Sequence, residues 1–146
     1  MKHSNTLALL AALVLTACSN NTDTATAPAA DDAAAGRVFI ISPEDGATVT
    51  SPVQVKFGID GFSVAAAGTY EPMTGHHHLL IDTGLPPLDQ PVPADANHVH
   101  FGKGQTETTV ELAAGEHTLQ LLLGDGNHVP HQPPLASDII TITVTE

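Results

Sequence analysis

Only one cysteine occurs in the 146 residues, Cys18, so no intramolecular disulfide braces the chain. Tryptophan is absent and aromatic residues make up 3%, too few for the stacking platforms that hold sugars or bases. Basic residues are nearly as scarce, with four Lys and Arg against sixteen Asp and Glu. Beyond Lys2 only Arg37, Lys56 and Lys103 remain. That excludes the basic surface that nucleic acid or anionic lipid requires and suits cationic partners, metal ions among them. Serine is missing from the histidine-rich segments and Ser137 has no evident partner, so no Ser-His-Asp triad can be assembled. "GKGQTE" (Gly102–Glu107) lacks the first glycine of a phosphate loop and has no Ser or Thr after Lys103, which leaves it a turn feeding a strand. There is no internal repeat and no helical periodicity.

The N-terminus reads as an export signal. Lys2 precedes the apolar "LALLAALVL" (Leu7–Leu15), which is too short to span a bilayer, and small residues lead to Cys18. "LTAC" resembles the lipobox of bacterial lipoproteins, which implies cleavage before Cys18 and lipid attachment to it. Ser19 follows where aspartate commonly signals inner-membrane retention, so the expected location is the bacterial cell envelope, lipid-anchored in the outer membrane and facing the periplasm. Residues 19–36 are small, polar or acidic and read as a flexible tether, because they cannot bury enough apolar surface to fold. The expected organisation is therefore residues 1–18 as signal, 19–36 as tether and 37–146 as one folded domain.

Within that domain the period is two. "VQVKFGI" (Val53–Ile59) and "DIITITV" (Asp138–Val144) alternate apolar and polar residues, and Gly- or Pro-bearing turns separate the runs. Strands are expected at 37–41, 53–59, 76–83, 98–101, 105–112, 117–124 and 138–145, with a short extra one around 62–66. About seven such strands predict an all-β fold, an immunoglobulin-like antiparallel β-sandwich. "SPEDGATVTSPVQVKF" resembles the opening hairpin of many bacterial immunoglobulin-like domains.

Histidine is the residue in excess. After His3, all eight fall between residues 76 and 131. In a sandwich, the segment around His76, His77 and His78, the segment around His98 and His100, and the loop bearing His128 and His131 gather at one end, and His117 belongs at the other. Alternation turns His77 toward the core with Leu79 and Ile81, and leaves His76 and His78 on the opposite face with Leu80. In "HVHF" it turns Val99 and Phe101 inward and puts His98 and His100 on one side, about 7 Å apart at their Cβ atoms. Imidazoles without thiolate suit copper, zinc or nickel, and their protons compete with the metal near pH 6.5. The candidate ligands are first His78, His100 and His128, one from each segment, then His76, His98 and His131. Asp125 is a candidate to fix an imidazole tautomer, and Met73 a weak soft ligand for Cu(I).

"GHHHLLID", "HFGKGQTE", "GEHTLQLLLGD" and "NHVPH", in that order over residues 60–145, resemble a bacterial domain family of unknown function, DUF4399. The resemblance implies an exported or lipid-anchored protein and assigns no activity. "HVHFG" is also similar to the copper-ligating strand of copper–zinc superoxide dismutases, but their disulfide and other ligand motifs are missing. The expected function is storage, delivery or sensing of copper or zinc by a non-catalytic, membrane-anchored protein, with an envelope protein as a further partner. The competing expectations are an interaction module whose histidines are structural or pH-sensing, and a small metalloenzyme.

Overall fold

The computed structural model describes residues 36–146, and the expected export signal, Cys18 and the expected tether up to residue 35 lie outside the described residues. Nine strands and no helix occur among the described residues. They are β1 (Arg37–Ser42), β2 (Thr48–Thr50), β3 (Val53–Asp60), β4 (Ser63–Val64), β5 (Thr74–Ile81), β6 (His98–His100), β7 (Glu107–Val110), β8 (Gly115–Gly124) and β9 (Ile140–Thr145). One sheet has the order β1-β3-β7, and the other the order β2-β9-β8-β5-β4 with β6 on β5.

The inward faces of the two sheets meet in one core. Val38, Val53, Val55 and Phe57 of the first sheet pack against Leu79, Ile81, Leu119, Leu121, Leu123, Ile142 and Val144 of the second. These residues alternate along their strands, as half-buried strands require. The expected immunoglobulin-like sandwich is the observed architecture, with two differences. "TVT" (Thr48–Thr50), read as part of a turn region, forms a strand that pairs in parallel with β9. The short strand expected around 62–66 is β4, and it too pairs in parallel, with β5. The long ladders β1·β3, β3·β7, β5·β8 and β8·β9 are all antiparallel.

The outer face of the second sheet determines the site. Leu80 and Leu122 point outward there, yet both are fully buried, because Val92 and Ala136 close over them from the two proline-bearing loops. The loop after β8 is tied to its neighbours by backbone bonds from Leu123 N–H to the Leu135 carbonyl and from Val92 N–H to the His128 carbonyl, each 2.9 Å. A covered outer face is what allows polar residues of β5 to be buried on both sides of the sheet.

Candidate metal centre

Strand β5 carries "HHH" into the middle of the second sheet. His76, His77 and His78 stand opposite Gly124, Leu123 and Leu122 of β8, and His78 also stands opposite His100 of β6. His77 faces the core with Leu79 and packs on Phe57, the ring centroids 5.3 Å apart. His76 and His78 face the other way, as alternation predicts. All three side chains are buried.

Four imidazoles meet on that outer face. The His76 ring lies 4.8 Å from His78, 5.0 Å from His100 and 5.0 Å from His128 between centroids. His100 lies 5.2 Å from His78 and 4.8 Å from His128, and His78 lies 6.1 Å from His128. Two glycines make the room. A Cβ on Gly102 would stand 2.3 Å from Cε1 of His100, and one on Gly124 would stand 2.7 Å from Cε1 of His78.

His128 reaches the group from an unusual backbone conformation, φ 69°. Histidine adopts this left-handed region uncommonly, so the surrounding loop has to impose it. Asp125 does so. Its Oδ1 accepts from the backbone N–H of Asn127 at 2.8 Å and of Val129 at 2.9 Å, and its carbonyl accepts from His128 N–H at 2.9 Å. The expectation that Asp125 fixes an imidazole tautomer is therefore corrected: its side chain is engaged by backbone donors, and it acts on loop shape.

Donor atoms of His76, His100 and His128 all lie within 4.8 Å of one another, with His76 buried, His128 half-buried and His100 exposed. This trio differs from the expected His78, His100 and His128, since His76 takes the place of His78. His128 stands nearer to His76 than to His78, with ring centroids 5.0 Å and 6.1 Å apart. The two supporting candidates from the other segments sit apart. His98 shares its face with His100 but binds Asp95, Nδ1 to Oδ1 at 2.8 Å. His131 packs edge-on against Phe62, centroids 5.0 Å apart. His117, at the opposite pole, has both nitrogens engaged, Nδ1 with Asp82 at 2.7 Å and Nε2 with the Ala113 carbonyl at 2.9 Å.

Burial makes these imidazoles poor bases. Desolvation, helped by the neighbouring His100 and His128, lowers His76 to about 4. Desolvation alone lowers His77 to about 4. Desolvation and then the surrounding imidazoles lower His78 to about 3. His100 is lowered as well, by desolvation first and His128 second. The rings of His76, His78 and His100 are thus neutral at neutral pH, with lone pairs available. For His76 proton competition sets in well below the pH 6.5 expected of a free imidazole.

Neutral rings still carry one N–H each, and no protein partner receives those of His76, His77 and His78. A buried polar group left unpaired costs about 1–3 kcal/mol, so such groups are rare in native folds. The second ring nitrogen of His76 and of His78 is equally without a protein partner, and its lone pair, on the face shared with further imidazoles, is what an ion takes.

The model of one family, described as a domain of unknown function (DUF4399), matches residues 55–145, the span from within β3 to the end of β9 that contains every imidazole of the site. No curated protein and no solved structure matches the chain.

Proposed function

The chain belongs to the DUF4399 family, and from its own residues we propose that it binds a transition-metal ion, copper or zinc, through His76, His100 and His128. Its role is storage, delivery or sensing of that ion and not catalysis. It works in the bacterial cell envelope, held by lipid on Cys18 in the outer membrane and facing the periplasm.

One observation carries the metal reading. His76 is buried with neither ring nitrogen bonded to protein, and a donor atom of it lies within 4.8 Å of donors on two other histidines. Ligands around one ion with bonds of about 2.0–2.1 Å stand about 3.4 Å apart when tetrahedral, a gap that small ring rotations of His100 and His128 close. An all-imidazole set without thiolate fits zinc and copper, and it disfavours calcium or magnesium, which take oxygen ligands. The exposure of His100 gives the ion a path to solvent, as storage or delivery requires. The strong excess of acidic over basic residues favours the approach of cations.

The test is the metal content of the full chain purified after expression with intact export, followed by a competition titration with a chromophoric chelator. We expect about one equivalent of zinc or copper, and loss of that equivalent in the His100→Ala, His128→Ala double variant. If the double variant binds as tightly as the parent, the site lies elsewhere and the reading fails. If the parent binds neither metal, the histidines are a structural network of an interaction module.

A further inference from the structure

The three-histidine reading leaves one ring of the group without a task. His78 is 1% exposed, and neither of its nitrogens has a protein partner. Filling space does not require a histidine there. Leu80 and Leu122 fill the same outer face nearby, and an apolar side chain would avoid the orphaned donor. Gly124 nonetheless leaves open the volume that the His78 ring enters.

The arrangement of the four rings is diagnostic. Around a square, two of the six ring-to-ring distances exceed the other four by about 1.4-fold, the pattern expected of tetragonal Cu(II) or Ni(II). Around a tetrahedral ion with bonds of about 2.0–2.1 Å, all six distances come to about 5 Å. Five of the distances here run from 4.8 to 5.2 Å, and only that between His78 and His128 is longer, at 6.1 Å. The rings therefore mark a tetrahedron with one stretched edge. Soft ligands that would select Cu(I) are missing from the group, since Cys18 is the chain's only cysteine and neither methionine is among the four residues.

What holds His78 back is its distance from His128, 6.1 Å between ring centroids. Its Cε1–Nδ1 side lies against Gly124. The opposite edge carries Nε2, and a half-turn about χ2 would put Nδ1 there instead with the ring plane and its packing in place, so either orientation leaves one nitrogen on the edge away from Gly124.

Resting on the three-histidine reading above, we propose that His78 is the fourth ligand, so that the centre is a closed, tetrahedral, all-imidazole zinc site. Its ligands come from three places: His76 and His78 from β5, His100 from β6, and His128 from the loop after β8. A closed set leaves no position for a zinc-bound water, so such a site retains its ion and performs no hydrolysis.

X-ray absorption on the zinc-loaded full chain counts the ligands directly. We expect four imidazole nitrogens and no solvent oxygen in the parent. In His78→Phe we expect three nitrogens plus an oxygen, with zinc affinity reduced more than about 100-fold, beyond the 10–100-fold typical of outer contacts. Three imidazoles with a solvent oxygen in the parent would overturn the proposal while leaving the three-histidine reading intact. So would a His78→Phe chain that loses less than about 100-fold in affinity. A parent that binds no metal fails both readings. The parent's count needs no variant, so the test stands even where the substituted chain does not fold.

Discussion

Three adjacent histidines lie in one strand, yet its two-residue alternation gives the middle one a different environment from its neighbours. His77 packs on Phe57 within the apolar core and touches none of the four outer rings, and burial keeps it neutral. Its N–H has no protein partner. Replacing an unsatisfied polar ring by an apolar side chain of similar volume is neutral or favourable. We expect His77→Leu to hold or raise stability, by up to about 1 kcal/mol in urea unfolding, and to leave metal affinity within about twofold of the parent. A large loss of metal binding in this variant would place His77 in the site and break the alternation argument.

The loop after β8 is the element that brings the third segment to the site, and Asp125 shapes it. Asn at that position still offers an acceptor to the two backbone N–H groups of Asn127 and Val129, whereas Ala offers none. Asp125→Ala should therefore cost about 1 kcal/mol of stability and weaken metal binding about tenfold as His128 relaxes from its left-handed backbone. Asp125→Asn should stay near the parent in both. Equal loss in the two variants would mean that charge, and not loop geometry, is what Asp125 contributes.

The same loop marks how far the sequence could be read. The period-two runs specify the strands of both sheets, and alternation correctly sorts His77 from His76 and His78 and points Val99 and Phe101 inward. The convergence of β5, β6 and the loop follows from sandwich topology. The preference for His76 over His78 does not, because it depends on how closely the loop brings His128 to each ring. Nor does the burial of the outer face, which Val92 and Ala136 bring about from loops without a repeating pattern. The separation of His98 was hidden as well. Its pairing with Asp95 is local, three residues apart, but the bond forms only once the turn at Asp95–Asn97 has closed.

For the molecule as a whole, the two poles respond to pH with opposite signs. At the site pole, His76, His77 and His78 titrate at about 4, 4 and 3 when folded, against about 6.5 in an unfolded chain. Their neutral forms contribute stability that is fully present above pH 6.5 and is lost as the pH falls toward 4, since the unfolded chain then binds protons the folded one refuses. At the far pole the Asp82 carboxylate bonded to His117, together with the Ala113 carbonyl, raises the histidine. Its contribution is present below pH 6.5 and fades as the pH rises through the raised value. It is the smaller effect, because Asp82 is partly exposed and solvent screens the pair. Metal-free protein should accordingly be most stable near neutrality and unfold cooperatively in mild acid. In urea titrations across pH 4–8, a midpoint that does not decline below pH 6 would contradict the burial of neutral imidazoles.

His76 and His128 lie more than fifty positions apart in the chain and meet only when β5 has paired with β8, and His100 joins them only when β5 has paired with β6. No short stretch of the polypeptide holds the whole ligand set, so a chain still extended, whether leaving the ribosome or threading an export channel, cannot assemble the site. The ion is taken up after folding, from whichever compartment the domain folds in. On the proposed route that compartment is the periplasm. The metal found in the native protein then reports the supply outside the inner membrane and not the cytoplasmic pool.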